Sequence, residues 1–252
     1  MWRSLILTCC LALGVSTARA ETLVIAGDIW CPINCEQGTE LPGVFVELAQ
    51  QIFGEADIQV EYRVVNWARA LVQARQGQIG AVIGATIQDA PDLIFPQTPV
   101  VMSRLCFYGL EQQPWRYTGV ESLKQIRLGA INGYSYGSEL DLYLNRASSQ
   151  QVQRVTGERA LHINVRKLQR KRIDALMENT WVMNWARQTY VPPLELANLG
   201  CRQGDVALHM GFSPVVLQST RYVHIFNAGL ERYRRNGRLN AILARYGISV
   251  GH

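Results

Sequence analysis

The residues best suited to chemistry fall on turns. Asp28 to Trp30, Asn66 to Arg69, Gly84 to Thr86 and Gly133 to Ser138 each follow a β-rich apolar stretch. Asp28 can meet a ligand or cap a turn. Trp30 and Trp67 offer flat apolar faces with one N–H donor each, equally useful in a binding site and in a half-buried core. Arg69 can grip a carboxylate or phosphate through two parallel bonds, or stand as a solvated helix position. Gly133 and Gly137 bracket Tyr134, Ser135 and Tyr136. The glycines permit tight backbone geometry. Ser135 and Ser138 can cap the helix that follows, and free N–H groups at its start suit an anion. An ordinary capped helix needs the same residues. Tyr134 and Tyr136 supply stacking faces with polar tips, for a ligand or for local packing.

This is binding chemistry more than bond-breaking chemistry. There is no H-E-x-x-H. His162, His209, His224 and His252 are scattered and form no dyad. An enzymatic alternative remains, in which Asp28, Glu47 and Arg69 do acid–base work in a cleft.

The N-terminus reads as an export signal. Met1-Trp2-Arg3 is followed by an apolar run from Leu5 to Val15 and by Ala18-Arg19-Ala20, which places cleavage after Ala20. Thr8 is a poor neighbour for lipidation of Cys9. Four cysteines then remain: Cys31, Cys35, Cys106 and Cys201. An even number in an exported chain points to disulfides, and three pairings are open. The favoured one joins Cys31 to Cys35 through a tight loop and Cys106 to Cys201 across distant segments. A zinc site needs tighter ligand pairs than these, so no metal and no cofactor are expected.

Removing residues 1–20 lowers the basic count from 25 to 23 against 20 acidic residues, a net charge of +3. That mild bias is no nucleic-acid footprint. The basic run from Arg166 to Arg172 reads as a solvated helix face with Leu168 inward, or as a docking surface for a membrane partner. No later stretch is long and apolar enough to span a bilayer.

The elements that must carry the turns alternate. Strands are expected at Thr22–Ala26, Val60–Val65 and Ile79–Ile83, with helices at Phe45–Phe53 and Ala68–Gln76. The alternation then restarts, with strands at Arg127–Ile131, Gln151–Val155, Ile173–Met177, Leu194–Leu199 and Val206–Phe212. Helices are expected after Gly137, at Ala160–Lys171 and Trp181–Thr189, and then at Leu217–Asn236 and Leu239–Tyr246 with Gly247 as a stop. Two α/β units of similar size without a flexible linker suggest two lobes with mostly parallel sheets.

Six segments in order carry a resemblance. They are Leu41-Pro42-Gly43-Val44-Phe45-Val46-Glu47-Leu48-Ala49, then Gly77 to Thr86, Phe95 to Val100 with Arg104-Leu105, Leu123 to Gly129, Arg172-Ile173-Asp174-Ala175, and Gly211-Phe212-Ser213. Together they resemble the amino-acid-type family, family 3, of bacterial extracellular solute-binding proteins, over nearly all of residues 22–247. The resemblance implies an α/β fold of two lobes, each a mostly parallel sheet flanked by helices, joined by two crossing strands. Lobe 1 would hold residues 21–108 and 204–252, and lobe 2 residues 109–203. Cys106 and Cys201 would lie near the crossings, bonded to each other and stiffening the hinge.

A ligand would sit between the lobes, where the strand-to-helix turns converge. Asp28, Trp30, Trp67, Arg69, Ala85, Thr86, Tyr134, Ser135, Tyr136 and Asn179 are the candidate contacts. Amino-acid-binding members place an Arg a few residues after the pocket-edge Thr, but Ile87-Gln88-Asp89-Ala90-Pro91 follows Thr86 here. Their acidic ammonium anchor, counted from Asp174, falls on neutral Asn179, beside Glu178. A buried zwitterion needs both charges answered. The expected ligand is therefore a neutral or differently anchored small polar or aromatic solute. The implied role is periplasmic capture of that solute by a monomer for a membrane (ABC-type) transporter, with a permease or receptor as partner. The alternatives are a cyclohexadienyl-dehydratase-like enzyme on the same fold and a soluble sensor that presents its ligand to a membrane receptor. Sensory domains usually continue into a transmembrane helix, and this sequence stops at His252.

Overall fold

A computed structural model describes residues 21–190 and 193–248; the export signal expected over residues 1–20 lies outside the described residues. Two five-stranded sheets organise the chain. The first contains β1 (Glu21–Gly27), β2 (Ile58–Val64), β3 (Ala81–Ala85), β4 (Val101–Ser103) and β10 (Val206–Phe212), in the order β2-β1-β3-β10-β4. The second contains β5 (Leu105–Leu110), β6 (Leu128–Ile131), β7 (Val152–Val155), β8 (Ala175–Asn179) and β9 (Leu196–Cys201), in the order β7-β6-β8-β5-β9. In each sheet the first three strands run parallel and the fourth is antiparallel to its neighbours. That fourth strand is the one that has just arrived from the other lobe: β5 enters the second sheet and β10 returns to the first.

The helices cover the sheets as the apolar periodicity requires. In the first lobe these are α1 (Val44–Gly54), α2 (Trp67–Arg75), α6 (Ser219–Arg235) and α7 (Arg238–Arg245). Helix α1 buries eight of its eleven residues, because sheet, α6 and α7 enclose it. Its Phe53 meets Phe212 and Tyr222 edge-on, at 6.3 and 5.8 Å between ring centroids. The second lobe carries α3 (Ser138–Arg146), α4 (Ala160–Gln169) and α5 (Thr180–Thr189). There Phe107 stacks on Tyr117 at 4.2 Å.

Three expected strands lie two residues later than their apolar runs suggest. Ile79, Ile173 and Leu194 are buried anchors ahead of β3, β8 and β9, so hydrophobicity marks burial there and not ladder pairing. The shift carries the last residues of β3 and β8 to the interlobe edge. Strands β4 and β5 have no clear pattern in the sequence, because Arg104 interrupts one short apolar run. The change of sheet occurs at Arg104, so residues 105–108, expected in the first lobe, pair in the second.

Both crossings are tied together. The return runs from Cys201 to Val206, and Arg104 Nε pairs with Asp205 Oδ1 at 3.0 Å. Arg202 N donates to Leu105 O and Thr180 N to Arg104 O, each at 3.0 Å. The disulfides join Cys31 to Cys35 and Cys106 to Cys201. Cys106 and Cys201 are register partners on β5 and β9, so their bond fixes the ends of both crossing strands to the second lobe. Arg104 and residues 202–205 are the crossing residues that lie outside both sheets. The bridge spans a sequence separation of 95. Replacing both cysteines by Ser should lower the unfolding free energy by about 2–4 kcal/mol, the usual worth of such a bond, against a loop-closure ceiling of about 4.7 kcal/mol for that length. Urea denaturation measures the loss, and an unchanged midpoint would contradict it.

Candidate functional site

The carboxyl ends of β1, β3 and β8 converge between the lobes. From the first lobe come Asp28, Trp30, Trp67, Thr86 and Asp89. From the second come Tyr134, Ser135, Tyr136, Glu178 and Asn179, and Ile83, Leu105, Met177 and Leu208 form an apolar floor. The cavity offers about 60 Å³ to the centres of water-sized molecules.

Glycines make the close approach possible. Gly84 has φ +77°, and a Cβ there would lie 3.3 Å from the Trp30 ring. Gly133 has φ +83°, and its Cβ would lie 3.3 Å from that of Ala68 in the opposite lobe. The lobes then join through polar contacts. Trp30 Nε1 donates to Glu178 Oε1 at 2.8 Å, Tyr134 OH to Asp28 Oδ2 at 2.6 Å, and Ser135 N to Asp89 Oδ1 at 2.7 Å. The Tyr134 ring meets Trp30 and Trp67 edge-on, each at 6.1 Å. Three aromatic residues therefore frame a space edged by three carboxyl groups.

The electrostatics are one-sided. Among the described residues that line the cavity there is no Lys, Arg or His. Burial pushes the Asp28 carboxyl up to about 7, against the hydrogen bond from Tyr134. Burial does the same to Glu178, also to about 7, while the bonds from Trp30 and the Asn179 N–H pull downward and the nearby Asp28 charge adds to the rise. Asp89 is pushed up to about 6, again chiefly by burial. Among the described residues, Glu178 Oε2 and Trp67 Nε1 are buried without a hydrogen-bond partner. Such atoms in a native cavity call for a partner.

The structure brings together Asp28, Trp30, Trp67, Thr86, Tyr134, Ser135, Tyr136 and Asn179 from the expected set. Two expected residues stand apart. Arg69 is exposed and away from the cavity, since Asn66 caps α2 by accepting from Arg69 N and the helix turns position 69 to solvent. Ala85 is buried, but it packs with Ala26, Ala70 and Val82. Ser135 does not cap α3, whose cap position is Gly137; its hydroxyl donates instead to Asp141 Oδ2. Asn179 caps α5 through Trp181 N at 2.7 Å, and its amide also reaches Ser103 Oγ. Glu178 and Asp89 were not among the expected contacts. The count from Asp174 passes directly beside Glu178, and that proximity was the available signal.

The sequence profile of bacterial extracellular solute-binding proteins, family 3, matches residues 23–249. No curated protein matches the sequence. Among solved structures, a histidine kinase sensor domain with similarity to periplasmic binding proteins superposes with a TM-score of 0.75 at 17% identity, covering 90% of this chain and 96% of that one. The arginine-, lysine-, histidine-binding protein ArtJ of Geobacillus stearothermophilus gives 0.74 at 14% identity, over 90% and 95% of the two chains. A mutant of ArgBP from T. maritima gives 0.73 at 14% identity, over 89% and 94%. These structures share the two-lobed fold described above. Since the profile match takes in both lobes and both crossings, the chain belongs to the bacterial extracellular solute-binding proteins, family 3.

Proposed function

We propose that this protein captures a small solute bearing a positively charged nitrogen, in the periplasm, and hands it to a membrane transporter of the ABC type. One observation carries the reading: Glu178 is buried at the cavity with Oε2 unpartnered, and no cationic side chain lines the site. A buried carboxylate without a counter-ion is costly, and a ligand cation removes that cost. Trp30, Trp67 and Tyr134 add ring faces that attract a cation in a desolvated site. The names of similar proteins fit, since ArtJ is described as binding arginine, lysine and histidine, all with basic side chains. The export-signal pattern before Glu21 and the two disulfides support a periplasmic site of action. Sensing is the second reading, favoured by the likeness to a histidine kinase sensor domain. In that case the closed form would be presented to a membrane receptor. Affinity capture of a permease or of a sensor kinase separates the two.

A thermal-shift panel of amines, guanidines and quaternary ammonium compounds, each beside a neutral isostere, tests the ligand class. A fitting cation at 100 times its dissociation constant should stabilise the fold by about 2.7 kcal/mol. Glu178→Gln keeps an acceptor for Trp30 but removes the charge, and should weaken that cation at least about 30-fold by calorimetry. Stabilisation by neutral isosteres alone would overturn the assignment.

The acid groups also set a pH dependence. Asp28 and Glu178 hold protons more tightly in the folded protein than in the unfolded chain. Between about pH 4 and pH 7 the native state therefore binds the excess protons, and stability falls as pH rises through that window. His209, lowered by burial, contributes the opposite slope, so the comparison with Glu178→Gln isolates the cleft. The melting temperature of ligand-free protein should drop from pH 5 to pH 8 more steeply than that of the variant. Affinity for a cation should rise over the same range, because binding needs the ionised carboxylate. A wild-type profile parallel to the variant's would contradict the assignment.

A further inference from the structure

We propose that Asp89 is a specificity-determining residue that rejects solutes bearing a carboxylate, by filling with its own carboxylate a backbone N–H cradle shared by the two lobes. The inference rests on the cationic reading of the cleft and narrows it to amines without an acid group. Asp89 Oδ2 accepts from Thr86 N at 2.7 Å in the first lobe, and Oδ1 accepts from Ser135 N at 2.7 Å in the second. Asp89 N donates back to Thr86 Oγ1 at 3.1 Å, which fixes the residue on its turn. Each carboxylate oxygen thus meets one lobe.

The neighbouring donors are also taken. Tyr136 N donates to Asp141 Oδ1 at 2.8 Å, and Gly137 N donates to Ser135 Oγ at 3.3 Å. The N–H groups from Tyr134 to Gly137, four of those that the sequence places at Gly133 to Ser138, are therefore answered from within the chain. A ligand carboxylate entering here would find those donors occupied. It would also face Asp28, Asp89 and Glu178 with no cation lining the cavity. Repulsion and unanswered desolvation then both act against it. The charge that remains free to pair is that of Glu178, which wants a cation.

Removing the Asp89 carboxylate reverses the balance. Thr86 N and Ser135 N lose their acceptor, and a small carboxylate can take its place. The test uses wild-type protein, Asp89→Ala and the isosteric Asp89→Asn, whose shape guards against a mere folding defect. The probes are putrescine with ornithine, agmatine with arginine, and tyramine with tyrosine, where each pair differs by one carboxylate. Calorimetry should show wild type preferring the amine of at least one pair by about tenfold or more, with that preference falling at least about tenfold in both variants. At constant ionic strength, acetate should raise the melting temperature of Asp89→Ala above its effect on wild type, with chloride as control. Wild type that binds an amino acid as tightly as its amine overturns the proposal, as do variants with unchanged preference. If amines bind but acetate and preference are the same in all three proteins, the role of Asp89 falls and the cationic reading stands. If no amine binds wild type yet acetate rescues Asp89→Ala, the cationic reading falls and the cradle stands. If neither response occurs, both fall.

Discussion

Closing two lobes over carboxyl groups that have no counter-ion is the constraint on which the site depends. Asp28 and Glu178 are both almost fully buried, and Asp89 lies between the lobes with them. Hydration lost by such groups is worth several kcal/mol each unless hydrogen bonds or an opposite charge replace it. The chain replaces part of it from the opposing lobe: Tyr134 serves Asp28, Trp30 serves Glu178, and Ser135 serves Asp89. The remainder appears as proton affinity raised toward neutrality. On the proposed reading a cationic ligand would supply the missing partner, and ligand recognition and lobe closure would then be one electrostatic event.

The architecture makes that event mechanically simple. Each sheet accepts one antiparallel strand from the other lobe, so two adjacent crossings form the only covalent links between the sheets among the described residues. The Cys106–Cys201 bond and the exchange at Arg202 and Leu105 bind the second-lobe ends of those crossings into one body. The ion pair between Arg104 and Asp205 sits at the bend itself, on an exposed surface where water screens it. Rigid bodies with a short flexible join suit hinge closure around a solute.

Much of this was legible in the sequence, for identifiable reasons. Apolar periodicity located α1, α2 and α4 to α7 because each buries an apolar face, α7 against α1 and α6 and the others against a sheet. Turn chemistry located Asp28, Trp30, Thr86 and the Tyr134–Tyr136 segment, since strand ends in parallel sheets converge on one edge. What periodicity could not supply was rotation and register. Arg69 follows Trp67 on the same helix, yet only the tryptophan faces the cleft. Residues 105–108 were placed with the wrong sheet, because a lone arginine does not announce a change of lobe. Glu178 and Asp89 were missed as contacts for a different cause. Glu178 ends an apolar run, where a charged side chain ordinarily marks the surface, and its burial follows from the first lobe lying over it, while Asp89 is brought to the site by the second lobe's Ser135.

The central claim is that the cleft completes itself with a positive charge. The most direct measurement is mass spectrometry of the small molecule released when protein purified from its native compartment is denatured. The account predicts a compound with a protonated or quaternary nitrogen, recovered from wild type and lost from Glu178→Gln. A neutral or anionic compound, retained equally by both proteins, would contradict it.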